Sequence, residues 1–232
     1  MVPLAGLEPQ HFLLLRRATL PNLFNYYFGT RTTKYGNKPF HFENIKSKAT
    51  LKDTHLMNDL VKVIAHFDKF QELKDTVLAY IEEVKKNYEG YRPQIPLQIC
   101  PQSNDIWDSA NWLKPGMKES FYNTLLPKFE GSIIEEVIKA MPTEVCRTRI
   151  MRLKDQKTYP VHIDPLHRIH IPIISHPDCA FLFPEDDYMK NMPANGDVYW
   201  VDVTRRHTFT NWGNSPRIHL LMSIVDKNYR PA

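Results

Sequence analysis

His162 and Asp164 stand two residues apart, and in an extended segment such residues point to the same side of the chain. An imidazole and a carboxylate side by side are two donors for a borderline metal. A second imidazole, His207, brought in from a distant strand, would complete two histidines and one carboxylate on one face of the ion. That set leaves coordination positions open and is the one expected for non-haem Fe(II) oxygenases. Arg217 lies ten positions after His207 and opens the segment Arg217-Ile218-His219-Leu220-Leu221. A guanidinium there can form a bidentate pair with a carboxylate at the bottom of a barrel, the anchor that an Fe(II) oxygenase needs for the distal carboxylate of 2-oxoglutarate. A His-x-Asp pair alone is a weak signal in a chain with 10 His, and His167 and His170 lie close by. A lone strand histidine is more often a hydrogen-bonded core or surface residue. The spacing of Arg217 is what raises this set above that baseline.

The elements that must position these groups change character near residue 145. Residues 57–70 carry apolar Leu60, Val61, Val63, Ile64 and Phe67, close to a helical stripe. Residues 72–88 continue it with Leu73, Val77, Leu78, Ile81 and Val84 on one face and Lys74, Glu82, Glu83, Lys85 and Lys86 on the other. Gly90 and the connector of Pro93, Pro96 and Pro101 end that helix. Residues 118–141 form a second helical stretch, broken by Pro127 and Gly131. From Arg147 onward short β-type runs take over: 147–153, 168–175, 180–183, 197–203 and 217–225, separated by turn-forming residues. Residues 168–175 alternate Ile169, Ile171 and Ile173 against Arg168, His170 and Pro172, the pattern of a strand with two distinct faces. Several short punctuated strands suggest a sandwich or barrel.

The run from Arg149 to Asp226 resembles the aspartyl/asparaginyl β-hydroxylase family of Fe(II)/2-oxoglutarate oxygenases, which includes bacterial free-proline hydroxylases. The residues that carry the resemblance are Pro160-Val161-His162-Ile163-Asp164, Arg168-Ile169-His170-Ile171, Cys179, Gly196-Asp197-Val198-Tyr199-Trp200-Val201-Asp202, His207 with Asn211, and Arg217-Ile218-His219-Leu220. Order and spacing match throughout, over about the last third of the chain. The resemblance implies an α+β chain with a mainly β catalytic core, a double-stranded β-helix (a cupin-like jelly roll) preceded by helices. It implies that His162 and His207 ligate iron, that Arg217 pairs with the distal carboxylate of 2-oxoglutarate, and that Arg168 and His170 help hold this co-substrate. Animal peptidyl-aspartyl hydroxylases have no carboxylate at the position of Asp164, whereas proline hydroxylases do. A full triad is therefore expected, and a peptidyl-aspartate substrate follows less directly. The family often carries a glycine before the His-x-Asp segment; Lys154-Asp155-Gln156-Lys157 stands there instead, so a differently built turn is expected.

Other residues have plainer readings. Arg147 and Arg149 share a strand face and could meet an acidic substrate, although a solvated or salt-bridged face is the more ordinary outcome, evenly balanced for Arg149. Tyr199 and Trp200 suit core packing better than a pocket wall. Asn211 could brace the loop of His207. Trp107 and Trp112 could form a substrate lid or simply join the helical part to the barrel. Cys179 is expected to be a small buried residue.

The 232 residues, 42% hydrophobic and 24% charged, suffice for one large domain with a real core. The expected organisation is a disordered leader over 1–25, a largely helical part over 26–145 packed on the barrel, and the oxygenase core over 146–232. A net charge of +4 suits an anionic small molecule, and no aromatic-and-basic motif supports nucleic acid as a partner. The cysteines, Cys100, Cys146 and Cys179, are odd in number and show no zinc spacing. A cytoplasmic setting is therefore the default expectation, with Met1–Leu15 a poor signal peptide. No apolar run reaches the length of a membrane span. The expected function is hydroxylation of an amino acid, free or within a peptide, by Fe(II), 2-oxoglutarate and O2. A metal-dependent cupin enzyme that does not use 2-oxoglutarate, and a non-catalytic jelly-roll binding module, stay open beside it.

Overall fold

The computed structural model describes residues 60–110 and 112–231. The leader expected over 1–25, and residues 57–59 of the first expected helix, lie outside the described residues. In chain order the elements are β1 (Val61–His66), α1 (Phe70–Asn87), β2 (Gln94–Pro96), β3 (Gln98–Ile99), β4 (Thr124–Leu125), α2 (Ile133–Lys139), β5 (Val145–Leu153), β6 (Lys157–Thr158), β7 (Arg168–Ile174), β8 (Cys179–Phe183), β9 (Tyr188–Lys190), β10 (Asp197–Val201), β11 (Thr208–Asn211) and β12 (Arg217–Ile224).

Two antiparallel sheets hold most of these strands. One has the order β1-β10-β7-β12-β5-β2, the other β6-β11-β8-β9. From β5 on, the chain alternates between the sheets apart from the β8–β9 hairpin, which is the winding of a jelly roll. Three layers result. One apolar cluster joins Leu73, Val77, Ile81 and Val84 of α1 and Ile134 and Val137 of α2 to Ile169, Ile171 and Ile173 of β7 and Ile218, Leu220 and Met222 of β12. A second lies between the sheets, from Met151 and Leu153 of β5 and Leu221 of β12 to Phe181, Phe183 and Phe209. Strand β7 thus turns its isoleucines to the helices and Arg168 and His170 to the inter-sheet space, as its alternation requires.

The helix expected over 57–70 is a strand. Leu60, Val61, Val63, Ile64 and Phe67 fit either period over so short a run. β-Branched Val61, Val63 and Ile64 favour extension, and pairing of Val61 with Val201 through His66 with Asp197 settles it, with a bulge between Val63 and Ala65. The large sheet therefore takes strands from both sides of residue 145. Helix α1 forms where the stripe over 72–88 places it. In 118–141 only α2 is α-helical, capped by Ser132, whose side chain accepts from the Ile134 amide at 3.2 Å. Before it, Pro127 and Gly131 leave only single 3-10 turns at Glu119–Phe121 and Pro127–Phe129.

Two glycines are sterically fixed. Gly196 (φ 98°) enters β10 where a Cβ would lie 3.0 Å from His66 and from the Phe67 carbonyl. At Gly213 a Cβ would strike the His176 ring. In the turn that lacks the expected glycine, Gln156 itself adopts φ 51°, so the left-handed turn is kept without it. Among the described residues no helix is long and apolar enough to cross a membrane.

Candidate active site

His162, Asp164 and His207 come together. Each offers one ligand atom, and these atoms lie within 4.8 Å of one another. The backbone sets this up: His162 and His207 form an isolated antiparallel bridge, amide to carbonyl at 3.0 and 2.9 Å in the two directions. The Asp164 amide is tied to the Val203 carbonyl at 2.9 Å. The imidazoles are held alike. Nδ1 of His162 lies 2.8 Å from the Pro160 carbonyl, and Nδ1 of His207 lies 2.9 Å from the Arg205 carbonyl. A carbonyl only accepts, so each Nδ1 carries the proton and each Nε2 presents a lone pair, the tautomer a metal ligand needs. Burial, opposed by the Arg205 carbonyl, pushes His207 down to about 4, which keeps that lone pair free at neutral pH. Asp164 is steered by Arg168, 3.3 Å away. Two imidazoles and a carboxylate, preset by the backbone, fit a divalent cation such as Fe(II).

The triad lines a cavity of about 600 Å³. Tyr159, Phe181, Phe209, Val203 and Leu221 give it apolar walls, and Trp112, Leu113, Ile163 and Pro165 also line it. Trp112 is 90% exposed and Ile163 59%. Arg147, Arg149 and Arg168 line the same cavity around Glu119. Glu119 accepts from Arg147 at 2.5 Å and from both terminal nitrogens of Arg168 at 2.6 and 2.9 Å. Burial alone would raise the Glu119 carboxyl, but Arg168, Arg149 and Arg147 outweigh it and hold it at about 2. Arg147 sits where β5 bulges against β12 with φ 50°, a conformation costly for a non-glycine residue. The salt-bridged outcome weighed for this pair holds for Arg147. Arg149, 4% exposed, has no carboxylate within ion-pair distance among the described residues.

The remaining expected site residues are placed less simply. Arg168 does face the cavity, but its guanidinium fork is filled by Glu119. His170 lines the cavity as well. Arg217 does not: it lines an adjoining crevice with Cys179, His219 and Phe181, too tight for a water molecule. Phe181 is a wall of both spaces. The Arg217 guanidinium lies 4.8 Å from the centre of the Phe209 ring and donates to Nδ1 of His219 at 3.1 Å. One of its terminal nitrogens is buried without a partner, as are Nε2 of His170 and of His219. A guanidinium only donates, so neutral His219 keeps its proton on Nε2, a second donor without an acceptor. Burial, then Arg217, keeps His219 well below its ordinary value and so neutral. Such orphaned donors suit an anion that is not part of the chain.

Glu119 and His219 were not expected as site residues. Glu119 stood in a stretch that resembled a helix, and only the fold carries it to β5 and β7. Asn211 braces a different turn from the one proposed for it. Its Nδ2 donates to Ser215 and Lys154 carbonyls at 2.7 and 3.1 Å, and its Oδ1 accepts from Gly213 at 3.1 Å, so it ties the turn into Arg217 to the end of β5. Cys179 is small and buried, and Trp200 packs in the outer core, as expected. Trp107 packs edge-on against Tyr88 beneath Arg92, while Trp112 lies at the cavity.

Residues 59–227 match the family model described as aspartyl/asparaginyl beta-hydroxylase. No curated protein matches the chain by sequence. Similar solved structures include AviO1 from Streptomyces viridochromogenes Tue57, at 13% identity over 77% of this chain and 96% of that one, TM-score 0.42. Another is a Pseudomonas putida prolyl-4-hydroxylase, at 11% identity over 74% and 95%, TM-score 0.41. A third is HygX from Streptomyces hygroscopicus with nickel and 2-oxoglutarate bound, at 8% identity over 78% and 89%, TM-score 0.40. Because the family match spans most of the chain, the protein belongs to the aspartyl/asparaginyl beta-hydroxylase family and is an iron- and 2-oxoglutarate-dependent oxygenase.

Proposed function

We propose that this protein hydroxylates an amino acid, free or within a peptide, with Fe(II) on His162, Asp164 and His207 and the distal carboxylate of 2-oxoglutarate on Arg217. The observation that carries the reading is the convergence of the three ligand atoms within 4.8 Å beside a cavity large enough for an amino-acid side chain. When bound, iron and 2-oxoglutarate would supply the oxidising chemistry with O2, one oxygen atom passing into succinate as the co-substrate loses CO2 and the other into the substrate hydroxyl. The chain supplies the rest. The Pro160 and Arg205 carbonyls keep both imidazoles in the ligating tautomer, and Arg168 turns the Asp164 carboxylate towards them. Arg217 and His219 offer donors to a carboxylate. Phe181, Phe209, Tyr159 and Leu221 give the site apolar walls, which strengthen the ionic contacts beside them. In this reading Phe181 yields to let the co-substrate reach Arg217.

An anaerobic titration of the metal-free protein with Fe(II) and then 2-oxoglutarate tests this, following the visible metal-to-ligand charge-transfer band. The native protein should develop the band, His207→Ala should not, and Arg217→Ala should need roughly tenfold to a hundredfold more co-substrate, the worth of a charged hydrogen-bond pair. Bound metal without a band would point to a cupin enzyme that does not use 2-oxoglutarate. No bound metal would point to a binding module.

A further inference from the structure

The cavity holds a cationic group that neither the metal nor the co-substrate accounts for. Arg149 lies on the inward face of β5, directly opposite Leu221 of β12, which in turn faces His170 of β7. It therefore stands in the same row of the barrel as His170. Among the described residues its side chain makes one hydrogen bond, a donation to the Arg147 carbonyl at 3.1 Å, and its Nε is buried without a partner. Three guanidinium groups, from Arg147, Arg149 and Arg168, crowd around the single carboxylate of Glu119. Both oxygens of that carboxylate are taken by Arg147 and Arg168. Asp164 is committed to the metal. Burying a cation with no ion-pair partner costs several kcal/mol in a folded protein, and Arg149 has from the chain only the Arg147 carbonyl and the longer-range pull of Glu119 and Asp164.

The counterion cannot be the co-substrate if Arg217 holds it. Arg217 pairs with Leu153 of β5, and Arg149 pairs with Leu221, four residues along β12 from Arg217. At the rise of a β-strand that separation is about 13 Å along the barrel. Arg217 lines the tight crevice and Arg149 the open cavity, so in this reading the two guanidinium groups face different spaces and serve two different anions.

We propose that Arg149 binds a carboxylate of the prime substrate, making the enzyme selective for an acid over its amide. This rests on the reading of the metal and co-substrate sites given above and deepens it. The planar guanidinium suits a carboxylate held in bidentate fashion. Lys154 and Lys157, which line the same cavity, add positive potential along the approach.

The test uses the anaerobic protein loaded with Fe(II) and 2-oxoglutarate. Probes are matched pairs: free amino acids with their C-terminal amides, L-aspartate with L-asparagine, and short peptides with a central Asp or Asn. Binding is read by calorimetry and by perturbation of the charge-transfer band. The native complex should bind at least one carboxylate probe tenfold or more tightly than its amide. Arg149→Met should bring the two within about twofold of each other, and Arg149→Lys should keep part of the preference. In both variants the 2-oxoglutarate midpoint should not move. Arg149→Met removes an uncompensated buried charge, so its melting temperature should be at or above the native one; should it not fold, Arg149→Lys reads the same preference. A preference that survives Arg149→Met, a 2-oxoglutarate midpoint that moves with it, or no carboxylate probe binding at millimolar concentration would each overturn the proposal. A native protein that forms no band at all sinks the underlying reading as well, which separates the two failures.

Discussion

Two buried arginines, Arg217 and Arg168, occupy the same barrel and are handled in opposite ways. Arg168 is met from within the chain: Glu119 fills its fork, Asp164 lies 3.3 Å away, and burial is outweighed so that its guanidinium is held above its ordinary value. Arg217 has a ring beneath it, an imidazole beside it and no carboxylate within ion-pair distance among the described residues; burial pushes it down to about 10. The first guanidinium is neutralised by carboxylates of the chain, although its Nε has no partner among the described residues, and the second is not. A buried charge that the fold itself neutralises belongs to the scaffold. One that the fold leaves wanting belongs to a ligand. By that criterion Arg168, expected to help hold the co-substrate, is already met by Glu119 and Asp164, and Arg149 falls on the side of Arg217.

The strongest way to break this comparison is to remove the internal countercharge. Glu119→Gln leaves Arg147 and Arg168 buried with no carboxylate between them and should cost about 3–5 kcal/mol of stability, read as the shift of a denaturant midpoint. The effect is also legible in acid. Glu119 is held at about 2 against an ordinary 4.5, so its stabilisation is complete above pH 4.5 and is lost as pH falls through about 2. The native protein should lose stability progressively over that window, and Glu119→Gln should lose correspondingly less. A variant as stable as the native protein would show that the cluster is not a structural unit.

The complementary change should do far less. Arg217→Met removes a cation that the chain does not neutralise. The lost contact with Phe209, worth about 0.5–2 kcal/mol, is offset by relief of the desolvation of the charge. Stability should stay within about 1 kcal/mol of native. A loss as large as that of Glu119→Gln would mean that Arg217, too, is scaffold, and the assignment of the co-substrate carboxylate would have to move.

How much of this was legible beforehand depended on distance along the chain. His162 and Asp164 share a strand face by period alone, and the alternation of β7 separates its isoleucines from Arg168 and His170, two sets that the fold turns to opposite sides. The strand period also carried β5, β10 and β12 nearly to their ends. What stayed hidden depends on pairing between remote segments. The stripe at 60–67 fits a helix or a strand equally over its length, and only β10 decides between them. Glu119 lies 28 residues from Arg147 and 49 from Arg168, in a stretch whose local pattern carries no sign of them. The short strands β6, β9 and β11 have too few residues to show a period at all. The separation of Arg217 from the cavity hinges on the packing of Phe181 and Phe209, which no spacing encodes.

The smallest expected effect sharpens the comparison at the cavity's outer end. Trp112 is 90% exposed while lining the cavity that holds the triad, so its ring contributes little to the core. Trp112→Ala should leave stability within about 0.5 kcal/mol of native, as surface substitutions do. A free amino acid seated against Arg149 would be indifferent to the change. A peptide that extends past Leu113 and Ile163 would lie against the indole and lose affinity when it is removed, because an aromatic ring offers a large rigid contact area at small entropic cost. Comparing a carboxylate-bearing peptide with the corresponding free amino acid on Trp112→Ala therefore asks which of the two forms the mouth is built for. A loss confined to the peptide assigns the rim to the flanking residues of a chain, and equal binding of both confines recognition to the arginine inside.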